Sequence, residues 1–173
     1  LSLDTTYYWH VRAVNSFGTT YSNGNVWWLF TTGNVPGAFN KASPANGANN
    51  QPASLTLTWG ASSNATSYAY CYDTSNNNTC DGSWINNGAS TSAPISGLSL
   101  GTTYYWHVRA VNGFGTTYSN GNVWWPFTTG NEPGAFSKSS PASGATDRPT
   151  SLTLIWSASA NAVSYLYCYD TNN

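Results

Sequence analysis

The stretch Leu98–Asn112, with the sequence LSLGTTYYWHVRAVN, decides the fold of this protein. Tyr, Trp and Val favour β-strands, and the alternating pattern of the segment after the Gly-Thr-Thr turn is typical of a strand packed on one face. The same stretch occurs at Leu1–Asn15, where only Asp4 replaces the glycine at position 101. The chain therefore contains a repeated β-structured unit.

The repeat has an offset of 97 residues. Sliding the chain by this offset aligns residues 1–76 with residues 98–173, and 17 of these 76 positions differ. Residues 77–97 occur once. Such closeness indicates duplication or pressure to stay uniform, so function should be sought in the repeated unit rather than in one special residue.

Short strands separated by Gly, Pro, Asn and Ser clusters continue on both sides of this stretch. Each has an apolar stripe on one face, and together they predict an all-β chain of sandwiches with about seven strands per repeat. The clearest are 54–59 (SLTLTW), 67–73 (SYAYCYD), 103–111 (TYYWHVRAV) and 122–128 (NVWWPFT).

The composition excludes several classes of protein. Of 173 residues, 6% are charged and 16% are aromatic, and the net charge is −1. The aromatic content argues against disorder, and five Lys and Arg residues are too few to neutralise a nucleic-acid backbone. No apolar run is long enough to span a membrane, and no signal peptide is evident. The surface should be neutral and rich in hydroxyl and amide groups.

These segments resemble tandem fibronectin type III domains, in particular those of large bacterial secreted or surface repeat proteins. The most specific part is Leu98-x-x-Gly-Thr-Thr-Tyr-x-Trp-x-Val-x-Ala-x-Asn112, although proline usually occupies the position of Leu100. The resemblance implies seven-stranded, immunoglobulin-like sandwiches with a tyrosine corner. It also implies that a set of aromatic residues forms the core signature: Trp59, Tyr104, Trp106, Trp125 and Trp156.

The family register also predicts the domain boundaries. Residues 1–34 are expected to be the C-terminal half of one domain, residues 35–131 a complete domain and residues 132–173 the N-terminal half of the next. Half a sandwich leaves its aromatic core and its strand edges in water, so neither end piece should be stable alone. We therefore expect the chain to be a window on a longer array, or its halves to be completed by neighbouring copies.

Three cysteines are an odd number, and the repeat accounts for it. Cys71 and Cys80 flank an Asn-rich turn, and we expect them to form a hairpin disulfide in an oxidising compartment. Cys168 is the repeat equivalent of Cys71, so its expected partner lies beyond the last residue. No second Cys/His pair supports a zinc site, and we expect no metal and no cofactor.

Catalytic residues are not evident. His10 and His107 are predicted to lie exposed on the outward strand face, where Arg12 and Arg109 could stack on neighbouring tyrosines. The six acidic residues do not form a spaced pair that recurs in both repeats. We therefore expect a non-enzymatic protein.

Tandem tryptophans occur once in each repeat. Register places Trp28 and Trp125 in the core and turns Trp27 and Trp124 outward. An outward Trp can contact a neighbouring domain, stack on a sugar ring, or simply be shielded by its cross-strand neighbours. Recurrence in every repeat favours the inter-domain contact, with the glycan contact as the alternative.

The sequence predicts a structural segment of an extracellular or cell-surface repeat protein, forming a filament or surface fibre from copies or repeats of itself. In one arrangement a long polypeptide runs along the fibre, which is the one we favour; in the other, separate chains exchange strands. The alternative function is an adhesin or a carbohydrate-binding or spacer module. Asn64-Ala65-Thr66 and Asn77-Asn78-Thr79 match the N-glycosylation pattern, although chance matches are expected in so Asn-rich a chain.

Overall fold

The computed structural model describes residues 1–172. Over this part the regular structure consists of β-strands and two short 3-10 turns, and it contains no helix long and apolar enough to cross a membrane. Two short 3-10 turns lie at Ser22–Asn25 and Ser119–Asn122. The strands are β1 (Thr6–Trp9), β2 (Arg12–Asn15), β3 (Gly18–Tyr21), β4 (Trp28–Thr31), β5 (Lys41–Ser43), β6 (Ala48–Gln51), β7 (Leu55–Trp59), β8 (Ser67–Asp73), β9 (Ile85–Asn86), β10 (Ser92–Ile95), β11 (Thr103–Asn112), β12 (Gly115–Tyr118), β13 (Trp125–Thr129), β14 (Lys138–Ser140) and β15 (Ile155–Trp156).

Strands β5 to β13 form a fibronectin type III-like sandwich of two sheets. The first sheet has the order β10-β7-β5, and the second has the order β6-β13-β11-β8-β9, with β12 also paired to β11. All these pairs are antiparallel except β13 with β6. The predicted all-β fold class is therefore confirmed.

The core of the sandwich is aromatic. Trp106, Phe127, Leu57 and Val108 have no exposed surface. The alternation along β7, β8 and β11 turns their large side chains toward this layer, where the rings of Tyr104 and Phe127 stack at a centroid distance of 5.7 Å. Aromatic burial of this size supplies the main driving force for folding.

Two tyrosine hydroxyls fasten loops to this core. The backbone N–H of Ser99 donates to the hydroxyl of Tyr104 at 2.9 Å, and that of Ser62 donates to Tyr68 at 2.8 Å. Each bond satisfies a buried phenol and fixes the turn that leads away from a strand. The first of these pairs recurs one repeat earlier, where the N–H of Ser2 donates to Tyr7.

Residues 1–34 repeat the local structure of 98–131. The ladder of β1 with β4 pairs Tyr7 with Phe30, as the ladder of β11 with β13 pairs Tyr104 with Phe127. Nothing in residues 1–172 packs on the inner face of β1 and β4, so Trp28 remains 53% exposed. The same sequence is thus core in one repeat and surface in the other.

Residues 132–172 retain less of the repeat. Strands β14 and β15 pair as β5 and β7 do, whereas residues 164–170, which match β8, adopt no strand. Strand β8 makes ladder bonds on both sides, to β11 and β9. Residues 164–170 have neither partner within the described chain, so the strand that would correspond to β8 does not form there.

We predict that Phe127→Ala destabilises the sandwich by about 3–5 kcal/mol, because it opens a cavity in a closed core. The matched control is Phe30→Ala, which removes the equivalent ring at a position that is 42% exposed. Urea unfolding followed by near-ultraviolet circular dichroism measures both. Equal losses of stability in the two variants would contradict this account of the core.

Candidate functional site: an aromatic cluster on the outer sheet face

The outer face of the second sheet carries a disulfide. Cys71 lies opposite His107 in the β8–β11 ladder, and its side chain points away from the core tyrosines. It is bonded to Cys80, with a Cα–Cα distance of 6.0 Å. The predicted pairing is therefore confirmed. The bond holds the loop after β8 close to the sheet, because Cys80, nine residues after Cys71, is fixed beside the strand.

This loop brings Trp84 onto the outer face. We call Trp84, His107, Arg109, Tyr118 and Trp124 the outer cluster. The Trp84 ring lies 5.9–6.3 Å, centroid to centroid, from the rings of His107, Tyr118 and Trp124. The guanidinium of Arg109 lies over the same ring at 4.5 Å, within the range of a cation–π contact. A second, smaller aromatic core thus covers the outside of the sheet.

His107 is the polar centre of the outer cluster, with no exposed surface. Its Nε2 lies 3.1 Å from Oδ1 of Asn122, and its Nδ1 lies 2.9 Å from Oγ of Ser119. A neutral ring that donates from Nε2 and accepts at Nδ1 satisfies both partners. Burial, and then the nearby charge of Lys41, lower the pKa of His107 to about 4, against the opposing effect of the Asn122 hydrogen bond.

Lys41 enters this region from β5 and is only 4% exposed. Its ammonium donates to the carbonyl oxygens of Trp106 and Val123 and lies 3.4 Å from Nδ1 of His107. It also lies 5.2 Å from the ring centroid of Trp125. Burial lowers the pKa of Lys41 to about 7, since a desolvated ammonium is costly.

Two expectations about this face are wrong: His107 is buried rather than exposed, and Arg109 lies over Trp84 rather than stacking on Tyr105. Trp124 lies on the outer face as predicted, but its neighbours shield it and leave it only 7% exposed. The reason is common to all three residues, because each contacts Trp84, which belongs to the stretch that occurs once and follows shortly after Cys80.

The remaining tryptophan of the tandem pairs behaves differently. Trp27 is 59% exposed and lies 5.3 Å, ring to ring, from His10. Residues 1–34 contain no counterpart of Trp84 to cover it. Of the three possibilities for an outward tryptophan, shielding by neighbouring side chains describes Trp124, whereas Trp27 has an accessible face.

The residues of the core signature fall into two groups. Trp59, Tyr104 and Trp106 belong to the buried core cluster, and Trp125 packs against it partly buried. Trp156 is half-buried and contacts the ring of Tyr165 at 5.7 Å. Cys168 is a free thiol on an exposed surface, and its expected pairing lies outside the described residues.

The polar partners of His107 are a hydroxyl, an amide and an ammonium. None of them is the carboxylate that would orient a general base. Across residues 1–172, no three His, Cys, Asp or Glu side chains lie close enough together to hold a metal ion. Sequence reasoning missed Trp84, which has no repeat equivalent in the chain, and Lys41, whose recurrence at Lys138 was the one available signal.

No protein-family profile matches the chain, and no curated protein matches it. The chicken CNTN1 FN1-FN3 domains match at 16% identity and a TM-score of 0.44, covering 76% of this chain and 45% of that chain. The chain thus corresponds to less than half the length of that protein.

Two smaller structures match most of their own length. A Fn3-like protein from Clostridium thermocellum is 22% identical, with a TM-score of 0.38, and the match covers 57% of this chain and 95% of that one. The structure of FN3tt is 20% identical, with a TM-score of 0.36, and the match covers 56% and 99%. These are likenesses of fold, and the assignment of the sandwich rests on the strand order given above.

We predict that the double variant Cys71→Ala, Cys80→Ala loses about 2–3 kcal/mol of stability, as expected for a cross-link that closes a short loop. It should also be cleaved faster by proteases between residues 74 and 83, because Trp84 is then held only by ring contacts. Cys168→Ser is the control and should change neither property. Unaltered stability in the double variant would show that the cluster does not need its cross-link.

We also predict a stability that falls on acidification in two steps. Both pKa values are lower in the folded state than the ordinary values of 10.5 for Lys and 6.5 for His. The unfolded chain therefore binds more protons between pH 10.5 and about 7, and again between pH 6.5 and about 4, so stability decreases as the pH falls through each window.

Denaturant unfolding at a series of pH values tests this. Lys41→Met should remove the upper step, and His107→Gln should remove its share of the lower one. Lys138→Met, which deletes the exposed equivalent of Lys41, is the control for net charge. A wild-type stability that stayed constant from pH 10.5 to 7 would refute the buried-ammonium account.

Proposed function

We propose that this chain is a structural segment of a secreted or surface-attached tandem-repeat protein, in which fibronectin type III-like sandwiches form an extended array or filament. The 97-residue repeat carries this proposal. Because only 17 of 76 aligned positions differ, consecutive repeats present nearly the same surface every 97 residues. A regular fibre requires that uniformity, whereas a ligand site requires only one copy.

The outer cluster supports an extracellular setting. The loop that carries Trp84 is held by the disulfide between Cys71 and Cys80, and such disulfides persist in oxidising compartments. With 6% charged residues and a net charge of −1, neighbouring copies repel one another little. The side chains that cover the sandwich are mostly hydroxyls and amides, which suit close lateral packing in any salt concentration.

The proposed unit is the stretch 35–131, flanked by parts of two further units at 1–34 and 132–173. The apolar surfaces at Trp28 and Tyr167, 53% and 67% exposed, are then the inner faces of neighbouring units. The partners of this segment are repeats or copies of itself. The unit is non-catalytic, with its one buried histidine bound to Ser119 and Asn122.

The native polypeptide tests the proposal directly. An antibody raised against residues 35–131 should detect, in denatured and reduced extracts of the source cells, a species much larger than the 18.5 kDa of this chain. Surface labelling of intact cells should reach it. A discrete 18.5 kDa species would contradict the long-chain array, and a species confined to the cell interior would contradict the extracellular role.

An adhesin or glycan-binding module is the second candidate, and Trp27 is the observation in its favour. Its ring is 59% exposed beside His10 and Tyr21, and it would serve as a sugar-stacking platform only in a unit that lacks the cover which Trp84 gives to Trp124. Binding of the chain to an immobilised glycan that is lost in Trp27→Ala but kept in Trp124→Ala would favour this candidate. If neither the wild-type chain nor the Trp124→Ala variant binds the glycan, the result favours the architectural function.

A further inference from the structure

The tip of the β11–β12 hairpin lies against the segment that leads into the sandwich. We call residues 112–115 the hairpin tip and residues 33–36 the entry linker. The ring of Phe114 lies so close to Gly33 that a Cβ on this glycine would be 2.3 Å from its carbons. Gly33 itself is tied to the preceding repeat, since its carbonyl accepts a hydrogen bond from the N–H of Asp4 at 3.1 Å. The Phe114 ring of the sandwich thus touches Gly33, at the end of the preceding repeat.

Hydrogen bonds reinforce this contact along the entry linker. The side-chain amide of Asn112 donates to the carbonyl oxygens of Asn34 and Asn64, each at 2.8 Å. The hydroxyl of Thr117 donates to the carbonyl of Pro36. The linker is therefore bound through its backbone, which any sequence with the same conformation can offer.

The hairpin tip is formed before any linker docks. Oδ1 of Asn112 accepts hydrogen bonds from the N–H groups two and three residues later, at 2.8 and 3.0 Å. Asn15 makes the same two bonds at 2.9 and 3.1 Å, although no linker covers its tip within residues 1–172. Phe17 is accordingly 97% exposed, against 57% for Phe114. The tip is a preorganised surface that the linker partly covers.

We propose that the hairpin tip is the docking surface for the entry linker that joins its own sandwich to the preceding repeat, and that this contact fixes the orientation of consecutive repeats. The inference rests on the proposed tandem array. Both parts recur in the sequence: the tip motif Asn-x-Phe-Gly at 15–18 and 112–115, and the linker motif Gly-Asn-x-Pro-Gly at 33–37 and 130–134. Every junction of such an array would then have the same geometry.

The need for a fixed joint follows from the linker composition. The Gly33-Asn34 half of the linker samples many conformations, whereas Pro36 restricts only itself and Val35, so an undocked linker would let each junction take a different angle. A ring packed on Gly33 and backbone acceptors bound by Asn112 and Thr117 restrict that freedom. A uniform repeat-to-repeat angle is what turns a chain of identical beads into a regular fibre.

Nitrogen-15 relaxation of the full chain tests the joint. In the wild type, backbone order parameters at residues 33–35 should be near the rigid value of about 0.85, and in Phe114→Ala they should fall below about 0.6. Phe17→Ala removes the equivalent exposed ring and is the matched control, with no change expected at residues 33–35. Unchanged indole N–H signals of Trp59 and Trp106 report that the sandwich is intact.

A second pair of variants approaches the contact from the linker side. Gly33→Ala places a methyl group 2.3 Å from the Phe114 ring and should loosen residues 33–35 in the same way. Gly130→Ala is its control, since the added Cβ would lie 3.7 Å from Cα of Asn50, an ordinary contact. Linker order parameters below about 0.6 in the wild type, or unaffected by Phe114→Ala, would overturn the proposal. Either result would leave the array itself standing, as a flexible one.

Discussion

Strand β11 is buried on both of its faces, and the rest of the molecule is arranged around this constraint. Trp106 and Val108 point inward and His107 points outward, and none of the three has any exposed surface. An antiparallel sheet commonly leaves its outer face in water. Here the inner face is closed by the opposite sheet, and the outer face is closed by Trp84 on a loop that a disulfide holds down.

The second closure explains the unusual residues of this sandwich. A polar side chain that is cut off from water must find partners, and His107 finds Ser119 and Asn122 on the 3-10 turn beyond β12. Lys41 contributes a further donor from the first sheet, at a cost in desolvation that lowers its pKa. The 3-10 turn at Ser119–Asn122, the loop that carries Trp84 and strand β5 therefore all contact the imidazole ring of His107.

In the proposed array, surfaces of one repeat likewise depend on another segment to cover them. Each unit has an inner aromatic layer that only its own strands can cover, and a hairpin tip that only an entering linker can cover. Phe17 and Phe114 have the same local structure and differ in what lies over them. In the proposed array a uniform sequence would produce uniform junctions, and it would do so without charged contacts, since only 6% of the residues are charged.

The sequence by itself determined the all-β class, the strands β7, β8, β11 and β13, the inward faces of the first three, and the pairing of Cys71 with Cys80. These follow from local alternation and from cysteines spaced nine residues apart across one turn, which need no knowledge of distant contacts. The hydrogen bonds within the hairpin tip are also local, which is why they form at both Asn15 and Asn112.

Only the tertiary structure decided that the outer face of β11 would be shielded from water. Alternation places His107 and Trp124 on the outer face, but exposure there depends on whether another segment covers them. The cover comes from Trp84, in a stretch without a repeat equivalent and without a periodic pattern. Burial is a property of the partner as well as of the residue, so identical sequences at Trp27 and Trp124 end with 59% and 7% of their surface exposed.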